Sequence, residues 1–255
     1  MQRKIPALLF LTIFLFNQEA LAHFVQLTAD KNFLTSDKEK TVSIEMSFTH
    51  PFENGPLMTM KHPQQFGVLH KGKKTNLTDK LKSSAGFEDL KWTHAQSMNR
   101  IGDYIFHVTP VPYFEPSENK FILHYTKTVI SHGGGDGWDD LVGFPVEIRP
   151  LSRPYGLWTH NMFRGVVLKD GEPVPFAEIE VEHKNDHKLE APNGSYVTQV
   201  IKADANGVFA YAIPKAGWWG FAALIEDGET MKAQDGKDYI IEKGALIWVK
   251  AEDMK

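Results

Sequence analysis

The sequence predicts an all-β protein built from two β-sandwich domains, and three observations support that prediction. Strand-like alternation recurs along the chain, as in residues 41–48, where Val, Ile, Met and Phe alternate with polar residues. Turn pairs such as Asn206-Gly207 and Asp227-Gly228 separate these segments. No segment carries an apolar stripe at helical spacing over three turns, so packed sheets are the expected architecture.

The first residues have the organisation of a secretory signal peptide. Arg3 and Lys4 form a positive start, residues 7–16 are almost entirely apolar, and residues 20–22 offer small side chains to a signal peptidase. We expect cleavage there, which makes His23 the first residue of a periplasmic protein. No later apolar run is long enough to insert the mature chain stably in a membrane.

Composition excludes several classes of function. Hydrophobic residues make up 42% of the chain, which is enough to fill real cores and argues against disorder. The formal net charge is −4 and no basic stripe is present, so no nucleic-acid partner is expected. Cysteine is absent, which removes disulfides, thiolate metal sites and cysteine nucleophiles. A metal must therefore be held by histidine, carboxylate, methionine or an α-amine.

The strand-like segments fall into two groups. The first group comprises residues 41–48, 102–108, 121–129 and 144–149, and the second comprises 164–168, 177–182, 196–203, 208–213, 219–225 and 245–250. Residues 149–156 lie between the groups and contain two prolines and a glycine, which is typical of a linker. We therefore predict a signal peptide at 1–22, an N-terminal β-sandwich at 23–152 and a C-terminal β-sandwich at 153–255. The strand and turn order of the second domain resembles the transthyretin-like, carboxypeptidase-regulatory-like module.

Nine of the eleven histidines lie at or before His160, and eight of those nine fall in the predicted first domain. His23 is the most informative, because after cleavage it carries both a free α-amine and an imidazole that can close a chelate ring on a metal. The amine has an unperturbed pKa of about 8 and the imidazole about 6.5, so little proton displacement is needed near neutral pH. The remaining ligands must come from elsewhere in the fold.

His50 and His124 are the candidates for those ligands. His50 ends the first strand-like segment, and His124 lies inside the segment 121–129. Each also has a simpler interpretation: His50 as a strand-end histidine bonded to the backbone, and His124 as a surface or interface histidine. Three imidazoles and an amine suit nickel, cobalt, copper or zinc, and affinity alone favours copper.

Other polar residues have ordinary explanations in the sequence. Glu178, Glu180 and Glu182 share one face of a strand, which indicates a solvated sheet edge. No nucleophile elbow, dinucleotide fingerprint or phosphate loop is present, so we expect a binding protein and not an enzyme.

Ordered blocks over nearly the whole mature chain resemble a known family. They lie at residues 22–24, 50–53, 66–68, 112–116, 120–127, 137–139, 145–148, 153–158 and 216–221. In these blocks the chain is similar to exported periplasmic components of cobalt or nickel uptake systems of the energy-coupling-factor type. The resemblance implies His23, His50 and His124 as the metal ligands, Ni²⁺ or Co²⁺ as the ion, and a membrane permease as the partner. His62, His107 and His132 depart from the family pattern.

The sequence thus predicts periplasmic binding of nickel or cobalt for delivery to a membrane uptake system. One alternative is a copper histidine-brace enzyme that does oxidative chemistry, for which Trp218 and Trp219 are the obvious aromatic surface. A second alternative is a structural or adhesive β-sandwich without metal.

Overall fold

A computed structural model describes residues 23–35, 40–84, 86 and 88–255. The predicted signal peptide at 1–22 lies outside the described residues. Within them, helical structure is confined to a 3₁₀ turn at Thr78–Lys80 and a single α-turn, α1, at Gly194–Val197. Strands account for nearly all the remaining regular structure, and they stack as several sheets. The predicted all-β sandwich class is therefore confirmed.

Twenty strands follow one another along the described residues. They are β1 (Phe24–Ala29), β2 (Phe33–Leu34), β3 (Thr41–Thr49), β4 (Leu57–Met58), β5 (Gln65–His70), β6 (Lys73–Asn76), β7 (Lys82–Ser83), β8 (Lys91–Ser97), β9 (Gly102–Thr109), β10 (Tyr113–Glu115), β11 (Lys120–His132), β12 (Val146–Pro150), β13 (Leu157–Trp158), β14 (Met162–Lys169), β15 (Glu172–Pro173), β16 (Glu178–His183), β17 (Gln199–Lys202), β18 (Val208–Ala212), β19 (Gly217–Lys232) and β20 (Asp238–Glu252).

The described strands form three sheets. A five-stranded sheet has the order β1-β3-β8-β7 with β4 beside β3, and a four-stranded sheet has the order β12-β14-β15 with β18 beside β14. An eleven-stranded sheet has the order β17-β16-β19-β20-β11-β9-β5-β6, with β2, β10 and β13 attached to it. Strand β20 pairs antiparallel with β19 and parallel with β11, so this sheet contains segments from both halves of the chain. The boundary between residues 152 and 153 stays a prediction.

Residues 218–223 of β19 and 241–249 of β20 are buried on both faces because each face packs against a different sheet. Trp218 and Trp248 belong to the core shared with the five-stranded sheet. Trp219 and Phe221 belong to the core shared with the four-stranded sheet. Successive side chains of a strand point to opposite faces, so a nearly continuous apolar run serves both cores.

A buried ion pair holds the loop that follows β11. The Nζ atom of Lys127 lies 2.6 Å from Oε1 of Glu147, and both side chains are buried. The Glu147 carboxylate also accepts hydrogen bonds from the backbone N–H groups of Val142, Gly143 and Phe144. Since a charge left alone in the interior is costly, this pairing fixes the end of the loop against the sheet.

Trp248 fastens β1 to the large sheet. Its ring is fully buried and meets Phe24 edge-on, with ring centroids 6.0 Å apart. Its Nε1–H donates a hydrogen bond of 2.9 Å to the carbonyl oxygen of Val25. Gly220 leaves the room that the indole needs, because a Cβ at this position would lie 2.8 Å from Trp248 Cζ2. The direction and depth of β1 therefore depend on this side chain.

Replacing Trp248 by Phe removes the indole donor and leaves the Val25 carbonyl without its partner. We expect Trp248→Phe to lower the free energy of unfolding by about 1–3 kcal/mol, the cost of an unsatisfied buried polar group. Urea unfolding measures the change. The matched control is Trp158→Phe at a side chain that is 44% exposed, where we expect a change below about 0.5 kcal/mol. Equal effects of the two substitutions would contradict this role of Trp248.

Candidate metal centre

His23 and His50 meet because of the register between two strands. Strands β1 and β3 pair antiparallel with Phe24 opposite Thr49. One further step in the same register places His23 opposite His50. Directly opposed residues bring their side chains together, and the two imidazole rings lie with centroids 4.6 Å apart. His50 is buried, and its Nδ1 atom has no hydrogen-bond partner.

His124 lies in the large sheet, in a space made by a glycine. It stands opposite Gly244 in the parallel pairing of β11 and β20 and is 1% exposed. Both of its ring nitrogens lack a hydrogen-bond partner. A Cβ atom at Gly244 would overlap the His124 ring at Cδ2. The glycine therefore lets a whole imidazole lie flat against the backbone of β20.

Phe48 lies between the three predicted histidines. Its ring centroid is 5.8 Å from that of His23 and 6.1 Å from that of His124. Beside it is a cavity of about 10 Å³, lined by Phe48, His124, Met60, Tyr113 and others. A space of that size holds about one water molecule. In the part of the chain that the structure describes, no three His, Asp or Glu side chains stand close enough to hold an ion. The three histidines thus lie close together, but their side chains do not surround one common ion position.

Three carboxylates face these histidines. Oε2 of Glu115 lies 3.3 Å from Nε2 of His23, and Oε1 of Glu118 lies 3.9 Å from Nδ1 of the same ring. Oε1 of Glu242 lies 3.6 Å from Nε2 of His124. Sequence reasoning did not identify these residues, because their positions depend on pairing between distant strands. The candidate site therefore offers oxygen as well as nitrogen donors.

Lys120 forms ion pairs with two of these carboxylates and with a third, Glu226. Its Nζ atom lies 2.7 Å from Glu118 Oε2, 2.5 Å from Glu242 Oε2 and 3.7 Å from Glu226 Oε1. Burial alone lowers the pKa of Lys120, but the hydrogen bonds that its ammonium donates to Glu118 and Glu242 outweigh burial and raise that pKa. The ammonium is therefore a permanent positive charge beside the site.

The surroundings favour the neutral form of His23 and the ionised form of Glu242. Burial and the neighbouring His50 lower the pKa of His23, although Glu115 and Glu118 act in the opposite direction. Burial tends to raise the pKa of Glu242, but His124 and Lys120 outweigh it and bring that pKa to about 2. A neutral imidazole and an ionised carboxylate are the forms that bind metal ions.

The second half of the chain positions the turn that carries His50. This turn, residues 50–53, is called the His50 turn. Oε2 of Glu182 accepts a 3.2 Å hydrogen bond from the Phe52 N–H. The Asn185 N–H donates to the Pro51 carbonyl at 3.1 Å, and its Nδ2 donates to the Phe52 carbonyl at 2.9 Å. Glu182 of β16 and Asn185, just beyond the end of that strand, therefore hold the backbone next to His50.

The prediction that the glutamates of β16 line a solvated sheet edge is wrong for Glu182. Glu178 is exposed and Glu180 is half-buried, but Glu182 is 1% exposed beneath the His50 turn. Its Oε1 accepts a hydrogen bond from the Thr198 hydroxyl. The alternation of polar residues correctly places the three carboxylates on one face, but it does not show that another segment covers that face.

The other features named from the sequence lie elsewhere in the fold. His62 meets Trp92 edge-on at 4.8 Å, and His132 pairs with Gly102 at the other end of β11. His107 packs over Gly67, and burial, with Lys74 adding to it, lowers its pKa to about 4.

The two adjacent tryptophans do not form the aromatic surface considered for an oxidative enzyme. Trp218 is 6% exposed and Trp219 is 4% exposed. They point to opposite faces of the large sheet, into separate cores. This pair is therefore part of the packing and presents no flat platform to a substrate.

Comparison with known proteins identifies a family and little more. A family model described as a domain of unknown function (DUF4198) matches residues 20–227. No curated protein matches the chain. The part of the chain that the structure describes contains no helix that is long and apolar enough to cross a lipid bilayer.

Solved structures resemble this chain only remotely. The E. coli alpha-2-macroglobulin is 8% identical over 90% of this chain, with a TM-score of 0.25, and this chain spans 14% of it. The Yersinia pseudotuberculosis adhesin InvE is 12% identical over 86% of this chain, with a TM-score of 0.26, and this chain spans 58% of it. The Bacteroides uniformis beta-glucuronidase 3 is 12% identical over 89%, with a TM-score of 0.23 and 25% of its own length covered. Likeness this low supports no argument about function.

The buried Glu182 makes stability depend on pH. Burial raises its pKa to about 8, with Glu180 and Glu53 adding to the shift and the bonds from Thr198 and Phe52 opposing it. A raised pKa means that the folded chain holds a proton that the unfolded chain has lost, so this stability is lost as pH rises towards 8.

We therefore expect Glu182 to contribute a fall in the melting temperature between pH 5 and pH 8, and Glu182→Gln, which is always neutral, to lack that contribution and to show a less negative slope than the wild type. Thermal unfolding at both pH values measures the difference. Glu178→Gln, at the exposed position of the same strand, is the control and should keep the wild-type slope. If the melting temperature of Glu182→Gln depends on pH as that of the wild type does, the raised pKa of Glu182 is contradicted.

Proposed function

We propose that this chain, which belongs to the DUF4198 domain family, is a periplasmic protein that binds nickel or cobalt and delivers it to a membrane uptake system. The observation that carries the proposal is the state of His124. Its imidazole is buried and neither nitrogen makes a hydrogen bond, although Nε2 lies 3.6 Å from Glu242 Oε1, and the ring belongs to the same packed cluster as the His23 and His50 rings. An unsatisfied buried polar group costs about 1–3 kcal/mol, and an arriving ligand removes that cost.

The donor atoms suit a transition metal of borderline softness. Three imidazoles supply nitrogen, and Glu115 adds an oxygen 3.3 Å from the His23 ring. Cysteine is absent from the chain, so no thiolate contributes. Nitrogen and oxygen donors hold Ni²⁺, Co²⁺, Cu²⁺ and Zn²⁺, and their order of affinity places copper first. Without thiolates the ion stays exchangeable, which is what a delivery protein requires.

The first residue of the mature chain completes the proposed site. Cleavage after Ala22 exposes an α-amine on His23, and amine and imidazole of one residue bind one ion as a chelate. The His23 ring already lies against His50 in the register of β1 and β3. The side chains must shift to close around an ion, and the amine brings a fourth nitrogen to a point close to the paired rings.

Export and delivery follow from the same reading of the chain. Residues 1–22 have the composition of a signal peptide, which directs the protein to the compartment where metal ions enter the cell. The proposed partner is a membrane permease of the energy-coupling-factor type, which receives the ion. The protein acts as a carrier and performs no chemical step on its cargo.

The free amine is tested by adding one residue before it. We expect protein that begins at His23 to bind Ni²⁺ at least about tenfold more tightly than protein with one extra alanine, because the extension converts the amine to an amide. Titration calorimetry with nickel chloride measures both. His23→Ala in the processed chain should lose at least as much affinity. If the extended and processed proteins bind equally, His23 is not a ligand through its amine.

Adding a methyl group at Gly244, beneath the His124 ring, tests whether His124 is a ligand. Gly244→Ala pushes the His124 ring away from β20, and we expect Ni²⁺ affinity to fall about tenfold, which corresponds to about 1.4 kcal/mol. The matched control is Gly67→Ala, which crowds the His107 ring in the same manner, with a Cβ 2.8 Å from Nε2. Both variants lose stability, but only Gly244→Ala should lose affinity. Loss of affinity in both, or in neither, contradicts a ligand role for His124.

A further inference from the structure

Two carboxylates in the site divide their oxygens between a histidine and a lysine. Glu118 directs Oε2 to the Lys120 ammonium at 2.7 Å and Oε1 towards His23 at 3.9 Å. Glu242 directs Oε2 to the same ammonium at 2.5 Å and Oε1 towards His124 at 3.6 Å. Each of these two carboxylates thus faces Lys120 with one oxygen and a histidine with the other.

We propose that Lys120 is a specificity-determining residue, which occupies the oxygen donors of the site so that calcium and magnesium are rejected while nitrogen donors stay open. The proposal rests on the proposed function, since it concerns selectivity at the same site. Its ammonium takes the place that an oxygen-seeking cation would occupy between Glu118, Glu226 and Glu242.

The chemistry of the competing ions explains why a lysine serves this purpose. Ca²⁺ and Mg²⁺ bind through carboxylate and carbonyl oxygens and gain little from imidazole. An acidic cluster without a built-in cation attracts them strongly. Ni²⁺ and Co²⁺ gain most from imidazole and amine nitrogens, which Lys120 does not touch. The ammonium therefore penalises the hard ions far more than the transition metals.

The location of the ammonium fits this role better than a role in joining strands alone. The Lys120 side chain is 19% exposed and Glu242 is 8% exposed, so solvent screens their interaction only in part. A single partner is enough to tie β11 to β20, yet three carboxylates converge on Nζ. The His124 Nε2 atom lies 3.6 Å from Glu242 Oε1 and makes no hydrogen bond.

The test compares Ni²⁺ binding with and without millimolar Ca²⁺ by titration calorimetry, on processed full-length protein. Wild type should bind Ni²⁺ with an affinity that Ca²⁺ changes less than about twofold. In Lys120→Gln, which keeps a hydrogen-bond donor and loses the charge, Ca²⁺ should weaken Ni²⁺ binding about tenfold, and Ca²⁺ alone should bind. Lys120→Arg should behave like the wild type, because it keeps the charge.

A second lysine provides the matched control. Lys243 binds Asp227 at 2.9 Å and Glu229 at 2.8 Å, and it follows Glu242 on the opposite face of β20. Lys243→Gln removes the cation shared by these two carboxylates, of which Asp227 keeps Lys169 at 3.0 Å, and neither carboxylate pairs with a histidine of the site. Ca²⁺ should therefore leave Ni²⁺ binding unchanged in this variant.

The outcomes separate the two proposals. If Lys120→Gln binds Ni²⁺ and Ca²⁺ has no effect on it, the role of Lys120 is overturned and the metal site stands. If wild type binds no Ni²⁺, both proposals fall. Should Lys120→Gln not fold, its combination with Glu226→Gln removes the half-exposed carboxylate and keeps Glu118 and Glu242. Insensitivity of that folded variant to Ca²⁺ likewise overturns the role of Lys120.

Discussion

The candidate site depends on one strand that is covered on both faces. Strand β20 pairs with β19 on one side and with β11 on the other. On the face towards the five-stranded sheet, its alternate residues include Glu242, Gly244 and Trp248. Glu242 holds the lysine, Gly244 makes room for His124, and Trp248 binds the backbone of β1 just after His23. The histidines therefore belong to the first half of the chain, but their arrangement is imposed by its last strand.

A second support comes from β16. Glu182 and Asn185 bind three backbone groups of the His50 turn and leave the imidazole itself free. Donors placed on loops gain precision when the adjacent backbone is held by a rigid element. The site lies where three elements meet: the end of the β1–β3 pair, the middle of β11 and the inner face of β16. Each element contributes either a donor or the group that positions one.

Much of the fold follows from short-range patterns in the sequence, and the site follows only in part. Period-two alternation correctly predicts strands such as residues 41–48, and the absence of helical stripes correctly predicts the all-β class. His23, His50 and His124 gather around Phe48, and their role as metal ligands stays a prediction. Glu115, Glu118, Lys120 and Glu242 could not be found this way, because their contacts with the histidines join segments that are distant in the chain and leave no local signal. Alternation likewise shows which face Glu182 occupies, but not what covers that face.

The hydrogen bond from Trp248 to Val25 joins residues 223 positions apart in the chain. Contacts of such long range form late, because the intervening segment must first be ordered enough to close the loop. A chain in which β20 is not yet inserted therefore lacks the arrangement that gathers the histidines. The arrangement of His23, His50 and His124 is therefore complete only when the final strand is inserted, so it depends on the folding of the whole polypeptide.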